Sequence, residues 1–265
     1  MSEGIDALTA AALGALQGLT EFLPVSSSGH VAIGARFFDI QENSLALVIL
    51  VHLGTLLATL ILFRRDIAAL AAEGIAALRD PSRFRSTAEG RALVGIVIAT
   101  LITGVLGFLL RNVAEAFAED LRLVGYGFLV SAAFLIASGI ARSTDAEVSW
   151  WQALGVGAAQ GLAVLPGVSR SGVTIAVAML LGVQGTAAFR FSFLVSIPAI
   201  VGAALYEATG EEGLGALGPE AWVGGLTALV TGYVALVMLR HIILVGRMWT
   251  FAIYLVPLGF FLVTR

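Results

Sequence analysis

Long apolar stretches recur along the chain, each closed by a cluster of charge. Six read as simple spans: Leu45–Phe63, Arg91–Leu110, Leu121–Ala141, Ala187–Tyr206, Ala221–Leu239 and Trp249–Val263. Each is near the roughly 20 residues that a helix needs to cross a bilayer. Two further apolar regions, Ile5–Phe38 and Trp151–Val183, are too long for one span. The first is broken at Pro24-Val-Ser-Ser-Ser-Gly29 and the second at Pro166-Gly-Val-Ser-Arg-Ser-Gly172. Proline ends a helix, and the serines that follow can cap a new one. The pattern predicts an all-α polytopic membrane protein with six full transmembrane helices and two broken-helix hairpins.

Arginine placement gives the orientation. The connection Arg64–Arg91 carries six Arg and is placed in the cytoplasm, as is the turn with Arg240 and Arg247. The connection Glu207–Glu220 carries four Glu and no Arg and is placed outside. Threading the six spans between these points puts Arg142–Ser149 inside. The second broken region then enters from the cytoplasm and returns, and the first enters from outside and returns. The two hairpins are also alike in sequence. Gly14-Ala-Leu-Gln-Gly-Leu19 aligns with Gly157-Ala-Ala-Gln-Gly-Leu162 at an offset of 143 residues, and at that offset Val25-Ser-Ser-Ser-Gly29 aligns with Val168-Ser-Arg-Ser-Gly172. Similar sequence in opposite membrane directions marks an inverted repeat, whose broken elements meet near the midplane. The expectation is one transmembrane domain over 1–265, with repeats of roughly 1–141 and 142–265.

Composition agrees. Apolar residues make up 58% of 265 and charged residues 12%. Charge is thus about half of what a soluble domain carries, and mean hydropathy is +0.96. A soluble enzyme, a nucleic-acid binder and a disordered chain are set aside. Cysteine is absent and all fifteen basic residues are Arg, which removes thiol and Schiff-base chemistry. The acidic start Met1–Asp6 gives no expectation of a cleavable signal peptide.

Ionisable residues at membrane depth are costly and mark candidate function. Glu21, His30, Arg36, His52, Arg170 and Arg190 lie inside apolar regions. In the first break Gln17 and Glu21 are four apart and share a helical face. Ser26, Ser27 or Ser28 can cap the next half-helix, and Ser27 and His30 are one turn apart. Hydroxyl, imidazole and carboxylate are the parts of an activated nucleophile and its base; helix capping alone is the competing reading. In the second break Ser169-Arg170-Ser171 opens a half-helix whose free N–H groups and dipole favour anions. Arg170 adds a donor fork suited to phosphate, with Thr174 on its face. A structural Arg170–Glu21 ion bridge is the alternative. Together the two breaks suit a phosphate group, and the surroundings make it a lipid's. His52 reads as a hydrogen-bonded span histidine, and Arg190 as site or interface. Arg36 is expected to snorkel and His241 to be solvated. Trp150, Trp151, Trp222 and Trp249 read as interface anchors.

The stretch Gln17-Gly-Leu-Thr-Glu21-Phe-Leu-Pro-Val-Ser-Ser-Ser-Gly-His30 resembles the first signature of the undecaprenyl pyrophosphate phosphatase (bacitracin-resistance) family, (E/Q)-x-x-x-E followed by P-V-S-S-[ST]-G-H. Pro166-Gly-Val-Ser-Arg-Ser-Gly-Val-Thr174 is similar to the second, P-G-x-S-R-S-x-x-T. The segments around His52-Leu-Gly-Thr, Phe63-Arg-Arg65 and Phe191-Ser-Phe-Leu-Val-Ser-Ile-Pro198 also fit, so the resemblance runs nearly end to end. It implies a multi-pass inner-membrane enzyme of inverted-repeat fold, opening to the outside, that removes the terminal phosphate of a C55 polyprenyl diphosphate and so recycles the carrier lipid for cell-wall synthesis. Its partners would be that lipid and the membrane, with a homodimer allowed and nucleic acid excluded. It further implies Ser27 as nucleophile, His30 as its acid/base, and Glu21 as base or cation ligand. Arg170, Ser169, Ser171 and Thr174 would hold the diphosphate, with Gln17, Ser26 and Ser28 around it. A divalent cation, Mg²⁺ or Ca²⁺, would assist at Glu21 and Gln17. Many members have Glu where Gln17 stands, so Glu21 is the one motif carboxylate here. His52 stands where some members have Gln.

A lipid flippase with the same broken-helix architecture is the competing class. The vanadium-haloperoxidase-like lipid phosphatases need a Lys and an H-x-x-x-D that this chain lacks, and the rhomboid G-x-S-G is absent.

Overall fold

The computed structural model describes residues 6–38, 45–142, 144–208 and 218–265. Among these residues the chain is helical and has no strand. The order is α1 (Ala7–Phe22), α2 (Ser27–Phe38), α3 (Leu45–Leu62), α4 (Arg64–Arg79), α5 (Arg83–Ser86), α6 (Ala88–Glu119), α7 (Leu121–Ser138), α8 (Trp150–Leu162), α9 (Arg170–Leu180), α10 (Gly185–Ala208), α11 (Pro219–Leu244) and, after a 3₁₀ turn at Met248–Phe251, α12 (Ala252–Val263). Side chains set many of the starts. Asp6 accepts from the Thr9 N–H at 2.6 Å, Thr87 from Gly90 at 3.0 Å and Asp120 from Arg122 at 2.8 Å. Each satisfies an orphan donor of the first turn.

Four helices are long and apolar enough to cross a membrane: α6, α7, the Gly185–Gly202 part of α10, and α11. A fifth is reached if α3 and α4, which bend by 75° at Phe63, count as one. The expectation of six full spans is therefore met in part. The last predicted span is a shorter apolar helix, Met248–Val263, because the chain turns at Gly246, where φ is +67°, and restarts as a 3₁₀ turn. The predicted span Arg91–Leu110 lies within the 32 residues of α6, since helix hydrogen bonding continues through polar residues beyond the apolar run. The segment 209–217, which holds most of the acidic outer connection expected from the sequence, lies outside the described residues.

The two predicted breaks interrupt helices, between α1 and α2 and between α8 and α9. All four flanking helices are too short to span. They are held by close packing: α1 lies on α11, α8 on α6, and α7 on α12. Small residues allow it. A Cβ on Gly18 would meet the Ala228 carbonyl oxygen at 2.7 Å, and one on Gly157 the Ala99 carbonyl at 2.7 Å. Without a hydrophobic force between helices in lipid, such backbone approach supplies the dispersion contacts. Below the first break Phe22, Phe63, Phe189 and Phe193 form an aromatic cluster with centroids 4.9 to 5.8 Å apart. It ties Phe22 at the end of α1 and Phe63 at the bend between α3 and α4 to the start of α10.

Candidate active site

Pro24 has no N–H and stops α1. The chain then passes through Ser26, the one described non-glycine residue with positive φ, at +66°. A left-handed conformation is costly for a residue with a Cβ, so the surroundings must hold it. The Ser26 hydroxyl accepts from the Gly29 N–H at 3.3 Å and its carbonyl accepts from His30 Nδ1 at 2.8 Å. Both contacts tie Ser26 to the first turn of α2. Ser27, the first residue of α2, is thereby turned towards α1, where its hydroxyl donates to Glu21 Oε2 at 2.8 Å. Gln17 Nε2 donates to the same oxygen at 3.1 Å.

In the second break Gly167 takes φ +89°, a region open to glycine. Its carbonyl accepts from the hydroxyl of Ser131 on α7 at 3.1 Å, and Ser131 in turn accepts from the Ser169 N–H at 2.8 Å. Ser169 caps α9 through the Gly172 N–H at 3.2 Å. Arg170 follows as the first residue of α9 and reaches across to Glu21 Oε1 in an ion pair. Glu21 is nearly enclosed, while the Arg170 side chain keeps 19% of its surface, enough to meet a ligand.

The breaks pack on each other. A Cβ on Gly29 would lie 3.0 Å from Gly167 Cα, and a Cβ on Gly172 would lie 3.1 Å from Pro24 Cβ. Two helix starts thus face one small region. The N–H groups of Ser27, Ser28, Arg170 and Ser171 have no acceptor among the described residues. A carboxylate-bound hydroxyl, a guanidinium and two helix N-termini are groups that suit transfer of a phosphate group. A family model described as bacitracin resistance protein BacA matches residues 10–261.

The chain belongs to the BacA family.

Curated relatives carry the name undecaprenyl-diphosphatase. One from Desulfosudis oleivorans is 44% identical over 257 residues, covering 93% of this chain and 94% of the relative. One from Korarchaeum cryptofilum is 39% identical over 250 residues, with 93% and 94% covered. A Mycobacterium relative is 38% identical over 256 residues, with 93% and 92% covered.

Within this BacA-family site the predicted residues divide. Gln17, Glu21, Ser27 and Arg170 form one contact group. His30 is beside it but does not face Ser27: Nδ1 is on the Ser26 carbonyl and Nε2 is 2.7 Å from the Tyr254 hydroxyl. The one-turn spacing from Ser27 is overridden by a backbone acceptor four residues back. Ser28 is exposed, its hydroxyl 3.3 Å from that of Ser26. Ser169, Ser171 and Thr174 are buried and serve the break itself. Thr174 donates to the Arg170 carbonyl at 2.7 Å, and Ser171 lies 3.4 Å from Ser169 hydroxyl to hydroxyl. His52 donates to the Val48 carbonyl at 2.8 Å on its own helix. Arg190 pairs with Asp66 and lines a separate cavity of about 520 Å³ with Arg91 and Arg240, to which no residue of the two breaks contributes. Arg36, His241 and the four Trp are exposed at or near helix ends. Two site residues escaped the motif reading. Ser131 could have been flagged as a polar residue inside an apolar span, whereas Tyr254 looks like one more interfacial aromatic.

The donor set does not fit a protein-held divalent cation. Both Glu21 oxygens already accept hydrogen bonds, and one faces a guanidinium. Among the described residues no three His, Asp or Glu gather into a metal-holding group.

Proposed function

We propose that this chain is an integral membrane lipid phosphatase that hydrolyses undecaprenyl (C55 polyprenyl) diphosphate to the monophosphate and inorganic phosphate. The observation that carries this reading is the Ser27 hydroxyl bound at 2.8 Å to a carboxylate whose other oxygen holds Arg170. Ser27 Oγ attacks the terminal phosphorus as its proton passes to Glu21, the bond to the bridging oxygen breaks, and the lipid monophosphate leaves. Water then attacks the phosphoserine and inorganic phosphate departs. Glu21 returns its proton to Ser27, and the proton displaced from water goes to solvent. Arg170 shares its five donors between Glu21 and the terminal phosphate. The free N–H groups at the starts of α2 and α9 stabilise the charge that builds on the equatorial oxygens. All of these groups come from one chain, so a homodimer adds nothing that the reaction needs. A flippase would have no use for a serine held on a carboxylate.

The hairpins are re-entrant from opposite sides, the two halves form an inverted repeat, and the site opens outward in a cell-membrane protein. Mirrored contacts support the repeat: Pro24 touches Gly172 and Gly167 touches Gly29, which are equivalent pairs at the offset of 143. Purified protein in detergent should release inorganic phosphate from a C55 diphosphate, and Ser27→Ala should stop it without loss of folded protein. If the variant turns over normally, the reading fails. Single cysteines at the exposed Ser28 and Ser86 should label from opposite sides of the membrane.

A further inference from the structure

We propose that Tyr254 is a positioning residue for the phosphatase reaction, acting through His30 and the Ser26 carbonyl to set the nucleophile; the inference rests on the function proposed above. Three observations carry it. First, a carbonyl oxygen only accepts, so the 2.8 Å contact from the Ser26 carbonyl puts the proton of a neutral His30 on Nδ1. Nε2 then offers a lone pair, and the Tyr254 hydroxyl, 2.7 Å away, donates to it. The other ring nitrogen's partner is what selects a histidine tautomer.

Second, the ring is held as well as the proton. His30 and Tyr254 lie nearly parallel, with an interplanar angle of 14° and centroids 5.8 Å apart, and Phe128 meets His30 edge-on at 5.5 Å. Third, the carbonyl that His30 grips belongs to the left-handed Ser26, one residue before Ser27. A flip to the Nε2–H tautomer would remove the shorter of the two donors to that carbonyl, leaving the His30 backbone N–H at 3.3 Å, and loosen the turn that aims Ser27 at Glu21. Packing does not account for the hydroxyl. Tyr126, Tyr233 and Tyr254 are all outside the core, and of the three only Tyr254 makes a hydrogen bond to a described residue.

Tyr254→Phe removes the hydroxyl and keeps the ring. Its kcat for phosphate release should fall roughly threefold to tenfold, the worth of one hydrogen bond. KM should stay within about twofold, because the substrate's own contacts are untouched. ¹⁵N-histidine spectra of the substrate-free protein should show His30 as a single Nδ1–H tautomer in the wild type and as a mixture in the variant. Unchanged kcat in the variant overturns the inference. So does a reduced kcat with the His30 spectrum still that of one Nδ1–H tautomer, because Tyr254 would then not act through His30. An inactive wild type is a different result, since it sinks the proposed function and leaves the tautomer comparison readable.

Discussion

Glu21 and Arg170 are 149 positions apart in the chain and join side chain to side chain, one near the end of α1 and the other at the start of α9. The pair clamps one broken helix to the other. It also holds the carboxylate that accepts from Ser27. Structure and chemistry therefore share one ion pair, and substitutions should separate the two roles.

Arg170→Lys keeps the charge but loses the planar fork. A lysine can neutralise Glu21 as a point charge, yet it cannot hold the carboxylate and a phosphate oxygen side by side. Phosphate release should fall about 10²-fold while thermal unfolding moves only a few degrees. Arg170→Ala leaves an enclosed carboxylate unpaired. It should lose activity entirely and cost about 3 kcal/mol, the lower end for breaking a buried pair, because Arg170 is partly open. Equal activity losses in the two variants, with equal stability, would contradict this division.

The three serines of the first break should respond differently. Ser27→Ala removes the attacking oxygen and should lower turnover by roughly 10³-fold or more. Brief incubation with terminally labelled diphosphate should leave label on wild-type protein and none on this variant. Ser28→Ala, at an exposed position, should stay within about threefold of wild type, because surface changes carry little energy. Ser26→Gly relieves a positive φ, a gain of about 1 kcal/mol, and loses only a few tenths as a cap. It should be slightly more stable and yet slower, as the turn before Ser27 gains freedom.

Much of this was legible before any coordinates. Polar and ionisable residues stand out in apolar surroundings, so Gln17, Glu21, the serines of the first break and Arg170 are marked by chemistry, Ser27 is singled out among the serines by the family resemblance, and Pro24 and Pro166-Gly167 mark the breaks. The fates of the remaining hydroxyls were not. Thr174 shares a helical face with Arg170, but a threonine in a helix can bond to the carbonyl four residues back, and it does. His30 was assigned to Ser27 by spacing and is taken by Ser26 and Tyr254 instead. Tyr254 lies 224 positions from His30 on a helix of aliphatic and aromatic residues, where local pattern carries no trace of the contact. Span count suffered from a similar limit, because hydropathy reports apolar length and not where a helix bends, as at Phe63, or starts late, as after Gly246.

Gln17→Glu tests the departure from the family's two-carboxylate pattern. The new carboxylate would face Glu21 Oε2 from the present 3.1 Å position of the Gln17 amide nitrogen. Two like charges so close cannot both ionise without a compensating cation. The variant should be nearly inactive in chelator and recover with millimolar Mg²⁺ or Ca²⁺. Wild type, with Arg170 neutralising a single carboxylate, should keep its activity in chelator. Identical responses to chelator and cation in the two proteins would contradict this reading of Gln17.

On the face assigned to the cytoplasm, Glu73 of α4 accepts from Arg83 Nε at 3.0 Å, Arg83 Nη2 at 2.7 Å and the Thr87 hydroxyl at 2.7 Å. The bonds from Arg83, and then from Thr87, hold its carboxyl below the ordinary glutamate value of 4.5. Asp80 in the adjoining turn is held low in the same way, by Ser82. A depressed carboxyl stabilises the fold above its unfolded value, and that contribution is lost as pH falls through the folded value. The junction of α4, α5 and the start of α6 should therefore be firm at neutral pH and loosen below about pH 4. Hydrogen exchange over residues 70–90 should rise across that window in the wild type. In Glu73→Gln it should already be raised at pH 7 and change less on acidification, because the amide cannot titrate and pairs weakly with the guanidinium. Phosphate release at pH 7 should be close to normal in this variant, since Glu73 does not touch Glu21, Ser27 or Arg170. Exchange that rises equally in both proteins would assign the acid sensitivity to another carboxylate.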